Sequence, residues 1–371
     1  MKIEKITGKI IKDSAGFRAI ASELIFCDRK FLSTVGQGRS RASAEFIQDD
    51  PWDGKAKIEG IIYQKIKGRD LDQRQLDKIL FALLKNKTIG VNTCLAVSQV
   101  FAKAQSSERG QEIWQYLIDE YDLPEAKKIP IFLGVLIEGA SHNNFHIKPD
   151  IQEYLIASSD LETIFLVDEF LCQALKNEKI KYERGFEGGL AIEAKDEIAL
   201  NIFSQLKKRQ LNFVKFGFDF AAESNNNSSL FVKKVLRQFE NSIMEDPFSP
   251  SDFTQWQELK NDYPSLVVVA DDPTVSDAKK IKAIAPKNVI NAVIIKPNQA
   301  GTISKTFEAI KVARANNLQI IVSHRSQETD DDILADIAFA ASADYFKAGN
   351  PNQKQRLVKY KRLEQIWKTR K

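Results

Sequence analysis

The sequence predicts an α/β protein, a (β/α)8 barrel preceded by a smaller α+β domain, and three observations carry that reading. Six apolar runs, NFVKFGFD, NSIMED, SLVVVADD, NAVIIKPN, LQIIVSH and ADYFKAG, each end at a polar residue, and successive ends stand 23 to 28 residues apart. Amphipathic segments with three- and four-residue apolar spacing, such as SKTFEAIKVARAN and DDDILADIAFAAS, fill the gaps. The runs are apolar throughout rather than alternating, as parallel strands covered on both faces require. Six βα units and two earlier strands make eight, the number that closes a barrel. An open doubly wound sheet is the alternative, but it normally shows a Gly-rich phosphate turn after its first strand, and none is found.

Taken in order, the first 57 or so residues hold three strand-like runs, KIEKITGKIIK, GFRAIASELIFC and FLSTV, separated by turn formers such as Asp13–Ser14. LDQRQLDKILFALLKN, CLAVSQVFAKAQ and GQEIWQYLIDEY follow with helical spacing. Strands then helices, segregated, read as an α+β capping domain over residues 1–124. Residues 125–371 form the barrel domain. It opens with the strands IPIFLGVLIEG and DIQEYLIA and the helices LETIFLVDEFLCQALKNEK and DEIALNIFSQLKKRQ before the six βα units.

At 371 residues, with 43% hydrophobic and 28% charged, the chain can bury a substantial core in two domains. A net charge of +4 implies neither a nucleic-acid footprint nor a membrane surface. The basic end, KYKRLEQIWKTRK, reads as a solvated final helix. Cys27, Cys94 and Cys172 are odd in number and scattered, which argues for a reducing compartment. The start, MKIEKITGKIIKDS, lacks the apolar core of a signal peptide, and no run approaches a membrane span. A cytoplasmic protein without a membrane partner is expected.

In a barrel the carboxyl ends of the strands share one rim, where active sites are built. Asp219, Glu245 and Asp271 would there face Lys296, His324–Arg325 and Lys347. Each acid could instead be a helix N-cap. Lysines, however, rarely end a buried strand without a partner. Three clustered carboxylates repel one another unless a cation sits among them, and all-oxygen ligands select a hard ion such as Mg²⁺. No His/Cys set has zinc spacing. Lys296, beside a divalent cation and a second lysine, would have its charged form disfavoured and could act as a base. The reaction class implied is removal of a weakly acidic proton next to a carboxylate.

SIMEDPF, VVADDPTV, IIKPNQAGT, VSHRSQETDDD and FKAGNPNQKQRLVKY, with EGASH, IQEYLI and GFEGG upstream, stand in an order and spacing that resemble the enolase family over nearly the whole chain, in a shortened form. The resemblance implies an enolase-type TIM barrel, ββαα followed by six βα units, beneath an N-terminal cap. It also implies the glycolytic, Mg²⁺-dependent hydro-lyase reaction that interconverts 2-phosphoglycerate and phosphoenolpyruvate. Asp219, Glu245 and Asp271 would hold the first of two Mg²⁺ ions, and Ser40 would reach the second. Lys296 would take the proton from carbon 2. Glu187, with Glu153 as its neighbour, would help hydroxide leave carbon 3, the two sharing a proton. Lys347 would bind the substrate carboxylate, and Arg325 and Ser326 the phosphate, with His324 and Gln152 as further substrate contacts. His142 matches a mobile-loop histidine, while His146 has no counterpart and reads as surface loop. A homodimer or a multiple of dimers is implied.

The chain also departs from the family pattern. QGRSRAS stands where the family has Ser-Gly-Ala-Ser-Thr-Gly, so Arg39 and Arg41 flank Ser40. GFEGG lacks the acid before Glu187, and NQKQR replaces Ser-Arg-Ser-Glu-Arg. Two alternatives follow from these changes. One is an enolase-like dehydratase acting on another hydroxy acid. The other is an inactive barrel kept to bind a partner such as an RNA-processing assembly, against which the persistence of the whole acid and amine set argues.

Overall fold

The computed structural model describes residue 1 and residues 3–38, 42–209, 211, 213–221 and 229–370. Strands β1 (Lys5–Lys12), β2 (Arg18–Phe26) and β3 (Arg29–Val35) form an antiparallel sheet. Its first turn forms at the expected Asp13. That carboxylate accepts from the N–H groups of Ala15 and Phe17, both at 2.9 Å, while Gly16 takes a φ of 82°.

The three expected helices appear as Gln73–Lys85, Val91–Glu108 and Ile113–Tyr121. One helix has no counterpart in the sequence reading. It begins at Pro51–Lys57 and continues through a wider turn at Ile58–Ile62 to Ile66. Its start is written in two residues only: Asp50 accepts from the Trp52 N–H at 2.9 Å, and Pro51 fills the first helical position. The Val91–Glu108 helix is buried nearly all round, because β2 and β3 lie on one side of it and the short barrel helix Pro297–Ala300 on another.

Eight strands close the barrel: β4 (Ile131–Glu138), β5 (Glu153–Ser158), β8 (Phe213–Asp219), β9 (Ser242–Glu245), β10 (Val267–Ala270), β11 (Ala292–Ile295), β12 (Gln319–Ser323) and β13 (Tyr345–Lys347), which pairs back onto β4. A hairpin of β6 (Tyr182–Arg184) and β7 (Leu190–Ile192) hangs on the end of β4. Inward-facing Leu133, Val135, Leu155, Ile243, Val269, Ile294 and Ile321 fill the barrel, and outward-facing residues join the surrounding helices in a second core. The Ile113–Tyr121 helix belongs to that second core: Trp114 meets Phe339 edge-on at 5.1 Å, and Tyr121 stacks on Phe307 at 4.6 Å. No helix among the described residues is long and apolar enough to cross a membrane.

One expectation needs correction. β5 runs antiparallel to both of its neighbours, so it delivers its amino end, not its carboxyl end, to the active rim. Glu153 therefore reaches that rim as the first residue of its strand. The register then sets Glu138 beside Glu153, Glu153 beside Asp219 and Asp219 beside Glu245, a row of four acids across four adjacent strands. Side chains at paired positions point to the same face, so the row is a single electrostatic unit.

Candidate active site

Asp219, Glu245 and Lys347 are the last residues of their strands, while Asp271, Lys296 and His324 follow theirs by one. Together with His142, Gln152, Glu153, Glu187, Arg325 and Ser326, most of them line one pocket of about 540 Å³ at the rim, open to solvent; Glu245 lies beneath it, against Lys347. Ser40 lies outside the described residues. His146 sits in an exposed loop, away from this pocket.

The acids are held by amines. Lys347 Nζ is 2.6 Å from Glu245, 2.8 Å from Glu153 and 3.4 Å from Asp219. Lys296 Nζ pairs with Asp271, whose other oxygen accepts from Gln299 at 3.2 Å. Burial alone would lower the pKa of Lys347, but the three carboxylates reverse this and raise it well above the usual lysine value. The same balance, with Asp271 dominant, raises Lys296. A neutral Lys296 is the expectation beside a divalent cation; the Asp271 carboxylate that now faces it favours the ammonium form. Burial and the Asp219 charge push Glu245 up to about 8. Asp271 is lowered: burial would raise it, and the Lys296 charge overrides that.

The opposite wall is built from histidines and glutamates. His142 Nδ1 stands 3.5 Å from Glu153 and 3.7 Å from Glu187, and neither ring nitrogen has a hydrogen-bond partner among the described residues. His324 Nε2 lies 3.2 Å from Glu187 Oε2, a bent contact rather than a straight hydrogen bond. Burial lowers both histidines, His324 to about 4, so both rings are neutral near pH 7. Burial and the Glu187 charge raise Glu153 well above the usual carboxylate range. Burial would raise Glu187 too, but the His324 side chain beside it and the Arg356 charge reverse it and hold Glu187 low. Of the two glutamates, the one that keeps a proton is Glu153.

Several residues at the site escape the sequence reading. Glu138 accepts from the backbone N–H of Glu187 at 3.0 Å and of Gly189 at 2.7 Å, so it shapes the loop that carries Glu187. It lies in EGASH, whose only named member is the histidine. Gly185 is required there: a Cβ would lie 2.4 Å from the Glu138 carboxyl carbon. Glu45 pairs with Arg325 at 2.9 Å and accepts from Gln299 at 3.3 Å. It follows QGRSRAS in a stretch without periodicity, and nothing in the sequence marks it. Asp246 accepts from the backbone N–H groups of Asp271 and Asp272 at 2.9 and 2.8 Å.

Among the described residues, two groups of side chains could hold a metal ion, His142–Glu153–Glu187 and Asp246–Asp271–Asp272, each with ligand atoms within 4.8 Å of one another. Asp219, Glu245 and Asp271 offer the all-oxygen set that Mg²⁺ prefers but do not form such a group, and Glu245 Oε1 is buried without a hydrogen-bond partner among the described residues. Their chemistry suits a hard cation, and the Lys347 and Lys296 ammonium groups now stand against one oxygen of each.

Comparison with known proteins agrees with this geometry. Residues 176–369 match the family model described as enolase, C-terminal TIM barrel domain. The enolase of Ehrlichia chaffeensis is 32% identical over 413 aligned positions, covering 99% of this chain and 96% of that one. The enolase of Sulfurisphaera tokodaii is 30% identical, covering 98% and 95%. The enolase of Methanothrix thermoacetophila is 29% identical, covering 99% and 96%. With likeness running through both the cap and the barrel, and a rim of acids and amines on a barrel whose second strand is reversed, the chain belongs to the enolase family.

Proposed function

We propose that the protein is a Mg²⁺-dependent phosphopyruvate hydratase, a hydro-lyase that interconverts 2-phosphoglycerate and phosphoenolpyruvate in glycolysis and gluconeogenesis. The observation that carries this is the meeting of two buried ammonium groups with four carboxylates at one end of the barrel. Lys296 is the base for the proton on carbon 2. Once Asp271 and Glu245 are both engaged elsewhere, burial and the charges of Arg325 and Lys347 favour the neutral amine. Lys347 offers its charge to the substrate carboxylate, and Arg325 and Ser326, with His324 and Gln152 nearby, hold the phosphate end. Glu153 and Glu187 share the proton that lets hydroxide leave carbon 3 as water, and His142 stands over that pair.

Asp219, Glu245 and Asp271 would hold Mg²⁺, with Ser40 at a second ion, and bound Mg²⁺ would stabilise the negative charge that gathers on the substrate carboxylate. Residues 1–124 act as the cap and residues 125–371 as the catalytic unit, in a cytoplasmic homodimer or a multiple of it.

The test is ultraviolet absorbance of the enol product from purified protein and 2-phosphoglycerate, with Mg²⁺ and then with a chelator. Silence under conditions where a bona fide enolase gives a signal would defeat the proposal. Glu45 on Arg325 favours one second reading, a hydroxy acid whose acidic group is less charged than phosphate. Exchanging substrates in the same assay separates the two.

A further inference from the structure

We propose that Arg356 is a positioning residue that locks His324 as the Nε2–H tautomer, with that proton on the side of Glu187. Arg356 stands in the first turn of the final helix, Lys354–Thr369, with its side chain fully buried. It makes no ion pair among the described residues. A buried cation with no acid in direct contact is costly and persists where its hydrogen bonds are complete.

Here they are complete. A guanidinium has five N–H groups, and each finds one acceptor. Nε donates to Gln353 Oε1 at 2.8 Å. Nη2 donates to the carbonyls of Ser326 at 2.7 Å and Phe186 at 3.1 Å. Nη1 donates to the Arg325 carbonyl at 2.7 Å and meets His324 Nδ1 at 2.5 Å. A proton on Nδ1 would point at an N–H and leave the fifth donor without an acceptor. Nδ1 must therefore present its lone pair, although the Arg325 carbonyl lies only 2.8 Å away. The ring proton of a neutral His324 is then on Nε2, which faces Glu187 at 3.2 Å. The other charged group acting on the ring is Glu328. Through the three carbonyls, the same guanidinium stitches the loop of Glu187 to the loop of His324, Arg325 and Ser326.

The tautomer itself does not depend on the proposed reaction; its consequence for turnover does. A ring N–H beside Glu187 favours the ionised form of that carboxylate and leaves the shared proton on its neighbour.

The chain has only three histidines, so ¹⁵N-imidazole labelling gives a spectrum that can be assigned by the signal missing in His324→Asn. The expected wild-type result near neutral pH is a neutral His324 ring protonated at Nε2. A ring protonated at Nδ1, or at both nitrogens, overturns the proposal, and no variant is needed to learn this. In Arg356→Lys, which keeps a charge but not the fork, the proton should shift toward Nδ1. There kcat should fall about 10²-fold, while KM moves less than about threefold. A folded variant that keeps the wild-type tautomer also overturns it. If the wild-type protein does not turn over 2-phosphoglycerate, the reaction reading fails while the tautomer measurement still decides this one.

Discussion

The two walls of the pocket solve the burial of polar groups in opposite ways. On the amine wall every charge has a partner: Lys347 among Glu153, Asp219 and Glu245, and Lys296 with Asp271. On the histidine wall, neither His142 nitrogen has a partner among the described residues, and Glu187 meets His324 through a bent contact. A buried polar group left unsatisfied costs about 1–3 kcal/mol. Such a cost is tolerable in a site where a ligand or a passing proton completes the bonds. The first wall holds charge in place, and the second leaves polar atoms open, as the proposed proton transfer would use.

The comparison can be broken most severely at the amine wall. Lys296→Ala should lower turnover of 2-phosphoglycerate about 10³-fold with the fold retained; unchanged turnover in the absorbance assay would reject Lys296 as the base. Lys347→Ala leaves a row of buried acids without a cation and should cost about 3–5 kcal/mol. Melting curves should recover part of that loss when Mg²⁺ is added, and a melt indifferent to Mg²⁺ would remove the metal from these acids.

The histidine wall should answer to pH. Burial and the Glu187 charge raise Glu138 from 4.5 to about 8. Between those pH values the folded state keeps a proton that the unfolded chain has released, so this group's contribution to stability is full below about 4.5 and falls as pH rises toward 8. The fall is about 1.4 kcal/mol per pH unit at most. Denaturation of the wild type and Glu138→Gln across that window should show it in the first and not in the second. Gly185→Ala drives a methyl group into the same carboxyl and should cost about 1–3 kcal/mol by denaturant titration. The smallest effect is expected at His142→Leu, where removing two unpartnered nitrogens should leave stability within about 1 kcal/mol of the wild type. A larger loss would mean that the ring is partnered and the walls are more alike than they look.

Much of the amine wall was legible along the chain, because each barrel strand is an apolar run and the residue that ends it stands out. Asp219, Glu245, Asp271, Lys296, His324 and Lys347 could be found by that rule alone. Glu153 was reached only by family resemblance, since an apolar run carries no mark of its direction and β5 is reversed. Glu138 hid inside the end of a strand, with its meaning in the loop of Glu187 some fifty residues on. Arg356 stood in a run of polar residues that reads as the exposed start of a helix, yet its side chain is fully buried. Glu45 had no pattern around it at all. The Pro51 helix was passed over because its only early signal is a cap and a proline.

By itself, the sequence determined the alternation of strands and helices, the closure of eight strands and the identity of the residues delivered to one rim. Periodicity and apolar content are local properties, and they survive being read one residue at a time. Which acid sits beside which, which lysine neutralises it, which glutamate keeps the proton and which histidine nitrogen bears one were decided only by the tertiary structure. Those outcomes depend on strand register and on distances between residues far apart in the chain, and electrostatic energy in a buried site changes with each ångström of that separation.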